Sequence, residues 1–157
     1  MVLLFMRKDN GFTLVEMMTV IAIMAIVSAI AVPNIYSFAA GMKLRSASRD
    51  LCSTLRQARM NAIRTNTRWA VQFGAANYQA IDCGPDNTCG TGDDVVKIPT
   101  SIPPGVTMSR DFAGNQTVFN ADGTSTSAII TKTTLTNTKG TSDITVAPSG
   151  RIIIISP

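Results

Sequence analysis

The stretch Gly11-Phe12-Thr13-Leu14-Val15-Glu16, with the apolar run behind it, decides how the rest of the chain is read. After Glu16 no charged side chain occurs until Lys43, and the residues between are mostly Ile, Val, Ala and Met. A helix needs roughly 20 apolar residues to cross a hydrocarbon core about 30 Å thick, so the run can span a bilayer. Arg7 and Lys8 precede it, which keeps that end cytoplasmic and sends the remainder outside. The run is longer than an ordinary secretory signal core, and no Ala-x-Ala-like site closes it. Met6 is an alternative start to Met1. Glu16 is the anomaly, because a carboxylate in an apolar segment is costly and points to a functional partner.

Working outward, residues 12 to 66 read as one long helix. Pro33 interrupts it, removing one backbone hydrogen bond and favouring a kink that a membrane helix can tolerate. Beyond Gly41 the pattern turns amphipathic. Leu44, Ala47, Leu51, Leu55, Ala58 and Ala62 recur at spacings of three and four, while Arg45, Arg49, Arg56 and Arg59 lie off that stripe. At 1.5 Å per residue such a helix is roughly 80 Å long, so about half of it must pack on something other than lipid.

From Trp69 the period changes to two and turn residues multiply. Strands are expected at 69–73, 77–81, 95–98, 105–109, 116–120, 127–135, 143–147 and 151–156, with no useful helix after Arg68 and no internal repeat. Short strands at this spacing argue an antiparallel sheet or sandwich whose inward face shares one core with the helix stripe, an α+β arrangement. Without the membrane stretch about 115 residues remain, enough for one compact domain.

The chain is 45% hydrophobic and 15% charged, with a net charge of +4. The basicity is local. Residues 43–68 carry Lys43, Arg45, Arg49, Arg56, Arg59, Arg64 and Arg68 against Asp50 alone, whereas from Trp69 onward acidic side chains outnumber basic ones. The absence of His argues against the commonest metal-site and acid–base chemistry. No nucleophile motif, phosphate-cradling loop or metal-ligand spacing occurs, so an enzyme is not expected.

Gly11 followed by Phe12-Thr13-Leu14-Val15-Glu16 resembles the prepilin peptidase site of type IV pilins and type II secretion pseudopilins. The match comprises a basic leader, a small residue before the cut, Phe first, Glu fifth, then the apolar run; Pro33 stands where the family commonly loosens its helix. The resemblance implies that a membrane aspartyl peptidase cuts after Gly11 on the cytoplasmic side. It implies N-methylation of the new Phe12 amine and assembly of subunits into a helical filament from the inner membrane. A narrower resemblance, to the GspH/FimT family of minor pilins, rests on several stretches. They are Arg49-Asp50-Leu51, Leu55-Arg56-Gln57-Ala58-Arg59, Ala62-Ile63, Val71-Gln72-Phe73, Phe119-Asn120-Ala121-Asp122-Gly123 and Ile144-Thr145-Val146-Ala147-Pro148-Ser149-Gly150-Arg151-Ile152. It implies that the helix leads into two stacked antiparallel sheets. Residues 82 to 94 look peculiar to this chain.

These readings divide the chain into a cytoplasmic leader at 1–11, a transmembrane and filament-core helix at 12–42, an amphipathic basic helix at 43–68 and a β-rich periplasmic head at 69–157. In lipid a carboxylate needs a positive partner or must stay protonated. After cleavage the Phe12 amine is such a partner, either within one helix or from a staggered neighbour, which would set the register between subunits. The basic face of Arg45, Arg49, Arg56 and Arg59 suits lipid headgroups or acidic neighbours better than DNA. Relatives serving DNA uptake carry a Gly-Arg-x-Arg ending, whereas Gly150-Arg151-Ile152-Ile153 lacks the second Arg.

Cys83 and Cys89 bracket a Gly/Pro/Asp/Asn loop that a disulfide could close in an oxidising compartment, leaving Cys52 as a buried small hydrophobe. Asp82, Asp86, Asp93 and Asp94 leave a Ca²⁺ site open as a weaker reading than a polar turn; otherwise no cofactor is expected. The functional expectation is a minor pseudopilin of a type II secretion pseudopilus. The alternative is a type IV pilus minor pilin acting in initiation or DNA uptake. Its partners would be other pilins, the prepilin peptidase, the inner-membrane assembly platform and lipid.

Overall fold

The structure, a computed structural model, describes residues 11–112 and 114–155. One helix, α1 (Leu14–Thr65), is followed by eight strands: β1 (Trp69–Phe73), β2 (Asn77–Asp82), β3 (Val95–Ser101), β4 (Thr107–Arg110), β5 (Gln116–Phe119), β6 (Thr131–Asn137), β7 (Gly140–Val146) and β8 (Ile152–Ile155). Contacts divide the chain into two compact units, Met1–Ser37 and Phe38–Pro157.

In the first unit α1 begins at Leu14 and runs unbroken through position 33, so the interruption expected at Pro33 is not a break in the helix. Its large apolar side chains are exposed throughout, from Val15 and Met18 to Ile30 and Ile35. The most apolar window has a mean hydropathy of 2.4 and none of it is buried, which separates this segment from the core helix of a soluble domain. The Thr19 hydroxyl is satisfied within the helix, donating to the Glu16 carbonyl at 2.8 Å.

In the second unit the rest of α1 lies against two antiparallel sheets, ordered β3-β2-β1-β5 and β4-β6-β7-β8. The expected helix stripe is the buried face: Leu44, Ala47, Leu51, Leu55, Ala58 and Ala62 are all at most 4% exposed. They share one core with Trp69, Val71 and Phe73 of β1, Tyr78 and Ala80 of β2, Phe119 of β5, Leu135 of β6, and Ile144 and Val146 of β7. Alternation sends Thr131, Thr133 and Leu135 of β6 and Ser142, Ile144 and Val146 of β7 inward. A smaller cluster of Ala70, Ile81 and Cys83, with Cys89 and Val118 packed on it, occupies the other face of the first sheet. Asn66, with φ 55°, takes the left-handed conformation that ends α1.

All eight strands lie where periodicity places them, but β3 runs on to Ser101 rather than 98, β4 starts at Thr107 rather than 105, and β6 and β7 also start elsewhere. The strand expected from 127 starts at Thr131, because Thr126 N–H donates to Val118 O at 3.0 Å and Ser125 bridges Phe119. The preceding segment is thereby spent as a return from β5, and Ile129 and Ile130 stay exposed in a loop. The strand expected from 143 starts at Gly140, because the hairpin closes at Asn137 and Gly140 and the ladder begins there.

Candidate functional site

Gly11, Phe12 and Thr13 precede the helix, Phe12 is 76% exposed, and among the described residues nothing beyond its chain neighbours lies within 4 Å of a Cβ placed on Gly11. The peptide after Gly11 is therefore open and non-helical, as a peptidase requires. The remaining residues of the expected leader lie outside the described residues.

Thr13 caps the helix: its carbonyl accepts the Met17 N–H at 3.2 Å. Its hydroxyl accepts the Glu16 N–H at 3.2 Å, and Glu16 Oε2 accepts the Thr13 N–H at 3.1 Å and the Thr13 O–H at 3.2 Å. This is a capping box, in which a Thr and a Glu three residues on satisfy each other's amides. Sequence reasoning missed Thr13 as the partner of Glu16, although the Thr-x-x-Glu spacing carries the signal. The carboxylate is thus held on the amide one residue after Phe12. An N-terminal carboxylate also suits the positive end of the helix dipole.

The basic face does not behave as one set. Arg45, Arg49, Arg56 and Arg151 are exposed, and among the described residues none has an ion-pair or side-chain hydrogen-bond partner. Arg59 differs, and the sequence expectation for it is corrected. It is half-buried and its Nε donates to the Gly123 carbonyl at 2.8 Å. Gly123 and Gly150 have φ of 81° and 75°, and a Cβ on Gly150 would fall on the Gly123 carbonyl oxygen. Three separated stretches, around Arg59, Asp122-Gly123 and Ser149-Gly150, therefore meet as one structural lock. Arg68 is likewise spent internally, on Asn120 Oδ1 at 3.1 Å and the Asn87 carbonyl at 3.2 Å.

Cys83 and Cys89 form a disulfide; Cys83 is buried in the smaller core cluster and the half-buried Cys89 packs against it. Cys52 is a buried free thiol whose pKa is raised by burial, partly opposed by Arg56, as suits a small core residue. The structure does not gather the four carboxylates of the Ca²⁺ reading. Asp82 Oδ1 accepts the Gly84 N–H at 3.4 Å, Asp86 Oδ1 the Thr88 N–H at 2.8 Å, Asp93 Oδ1 the Thr91 O–H at 2.6 Å and Asp94 Oδ2 the Gly90 N–H at 2.6 Å. Each accepts a bond from its own turn, although Asp94 Oδ1 is buried without a partner, and among the described residues no three His, Cys, Asp or Glu side chains are placed to share a metal ion.

Comparison with known proteins agrees with this geometry. The family model described as type II transport protein GspH matches residues 47–150, and the prokaryotic N-terminal methylation motif matches residues 6–32. Residues of the chain are 45% identical over 102 positions to the type IV major pilin protein PilA of Myxococcus xanthus, covering 63% of this chain and 46% of that protein. The chain therefore spans under half the length of that relative. The fold is similar to the type IV minor pilin FimU of Pseudomonas aeruginosa (TM-score 0.62, 16% identity, 76% of this chain and 92% of that one). It is also similar to the minor pseudopilin EpsH from the type 2 secretion system of Vibrio cholerae (TM-score 0.61, 10% identity, 73% and 98%).

Proposed function

The chain belongs to the family described as type II transport protein GspH, whose model spans residues 47–150 of its 157, and on that premise we propose that it is a minor pseudopilin of a type II secretion pseudopilus. It is a structural subunit of the pilin and pseudopilin kind, which assembles with other pilins into a filament. The observation that carries the reading is the junction of two modules. A methylation motif at residues 6–32 is joined by one helix to a GspH-type head.

In this reading the chain rests in the inner membrane with its N-terminus cytoplasmic and its head periplasmic. A prepilin peptidase cuts the exposed peptide after Gly11, and the Phe12 amine is methylated. An assembly platform then draws the subunit out of lipid. The exposed apolar side chains of α1 exchange lipid for neighbouring helices, and Glu16 exchanges its Thr13 donors for a neighbour's amine. Such an exchange favours one axial stagger, because a carboxylate in apolar surroundings is stabilised only where a cation meets it.

A second reading, a type IV pilus minor pilin, is favoured by the likeness to FimU and the PilA relative. Genes beside this one for a secretin and other pseudopilins support the first reading, and a retraction ATPase the second. For processing, mass spectrometry of the chain from cells with and without the peptidase is decisive. We expect an N-terminal peptide starting at methylated Phe12 in the first and an uncut chain in the second; an uncut chain in both overturns the mechanism.

A further inference from the structure

Each four-stranded sheet has two edges, and β3, β5, β4 and β8 are the strands at them. An open edge pairs readily with a foreign strand, and proteins blunt edges with charge, proline or covering loops. β3 carries Lys97 and Pro99, β4 carries Arg110, and the Thr126 N–H and the Ser125 bridge cover β5. β8 has none of these devices. It is four consecutive isoleucines, half-buried from Ile152 to Ile154 and 59% exposed at Ile155.

The ladder shows which backbone groups are free. The Ala147 N–H donates to Arg151 O at 2.9 Å, so this pair is a hydrogen-bonded one. Bonded pairs alternate along an antiparallel ladder, which makes Thr145/Ile153 and Asp143/Ile155 the next two. Ile152 and Ile154 therefore turn their N–H and C=O away from β7, toward the open edge. Among the described residues no backbone group outside the sheet reaches them.

Beside this edge lies an open groove of about 470 Å³, lined by Ile154 and, from α1, Arg49, Cys52, Arg56, Met60 and Arg64. Arg49, Arg56 and Met60 fall on one helix face, and Met60 is 69% exposed. The three guanidinium groups have no ion-pair partner among the described residues.

We propose that β8 and this groove dock an extended acidic segment of another subunit. The segment adds as a strand to Ile152 and Ile154 and lays its carboxylates against Arg49, Arg56 and Arg64. Main-chain bonds supply affinity in such strand addition, and the side chains that alternate toward the groove supply specificity. The inference holds for a secretion or a pilus filament alike, and it assigns the partner's chemistry where family membership does not.

The test uses the full chain in neutral detergent micelles and a fluorescent ten-residue peptide of alternating Glu and Val, followed by anisotropy and by exchange of the backbone amides. We expect saturable binding, slower exchange at Ile152 and Ile154, and no binding of the Lys-Val counterpart. Replacing Arg49→Glu and Arg56→Glu together should weaken binding about tenfold or more. Ile154→Pro, which deletes one outward N–H at an edge that accommodates proline, should weaken it about tenfold. If that variant misfolds, exchange in the unaltered chain decides. Binding that leaves Ile152 and Ile154 exchange unchanged overturns strand addition. Absence of acidic-peptide binding overturns the proposal, as does saturable binding of duplex DNA or anionic lipid in its place.

Discussion

The two halves of α1 are one continuous helix with opposite fates. Over residues 14–37 no described side chain is buried, and Leu14, Met18, Ile30 and Ile35 are more than 60% exposed. From residue 38 the same helix buries Leu51, Leu55, Ala58 and Ala62 to 1% exposure or less. Helix propensity does not separate the halves; the availability of a covering surface does. At roughly 25 cal/mol per Å² of apolar surface, the exposed half leaves a large driving force that only lipid or other subunits can satisfy. The first half thus encodes assembly and the second encodes stability, and substitutions should separate the two.

The largest effect is expected at Glu16. Glu16→Ala should leave membrane fractionation and the urea midpoint of the head unchanged while abolishing recovery in sheared filaments. Glu16→Gln sharpens the comparison, because Gln at this position still closes a capping box with Thr13 but carries no charge. If Gln assembles normally, the cap is what matters and pairing with a neighbour's amine is wrong. We expect Gln to fail as Ala does.

The converse substitution lies in the lock between the head's turns. Gly150 needs its φ of 75° and has the Gly123 carbonyl where a Cβ would stand. Gly150→Ala should lower the head's unfolding free energy by about 3 kcal/mol, from backbone strain plus displacement of the Arg59 contact. Membrane insertion should be untouched. An unchanged urea midpoint would show that this lock contributes little.

How much of this was legible in the sequence differs between the halves in the same way. The buried stripe and all eight strands could be read because burial on one face imposes a period of 3.6 or 2, and period is a local property. The N-terminal methylation motif could be read because its residues are contiguous. Arg59 could not be distinguished from Arg56, because its partner Gly123 lies 64 residues away and nothing local marks that contact. The same holds for the strand order, in which β5 lies beside β1 and β4 beside β6. Thr13 was legible in principle, but Glu16's cost in lipid drew attention to a charged partner, an amine of its own or a neighbouring helix, over an amide three residues back. In the acidic loop, clustering in sequence leaves a shared cation open, while the fold adds what sequence does not show, an N–H or O–H donor for each Asp within its own short turn.

That loop supplies the third test. With Cys83 and Cys89 both replaced by Ser, the six-residue separation predicts a loss of about 2 kcal/mol from loop entropy and from the smaller cluster they complete. The unfolding midpoint of the full chain in detergent, with and without reductant, measures it. Cys52 should stay unlabelled by a thiol reagent until the head unfolds, since burial raises its pKa and hides its sulfur.

The smallest expected effect is a pH dependence confined to the head. The Thr124 hydroxyl, then its amide, donate to Asp122 at 2.6 and 2.8 Å and lower its pKa. The Thr134 hydroxyl, at 2.8 Å, and then Lys132, at 3.0 Å, do the same for Asp143. A carboxylate whose folded pKa lies below its unfolded value binds fewer protons when folded. Its contribution is therefore complete above the ordinary Asp value of about 4 and is lost as pH falls through the folded pKa. Asp122 is exposed and the Asp143 side chain, 27% exposed, pairs with a partly exposed Lys132, so solvent screening keeps the contribution small. Urea midpoints of the full chain in detergent should hold from pH 7 to 5 and fall below pH 4. Asp122→Asn with Asp143→Asn should flatten that fall without shifting membrane insertion. A fall of equal steepness in the double variant would place the acid sensitivity elsewhere in the head, and a loss of insertion would break the separation between the two halves of the helix.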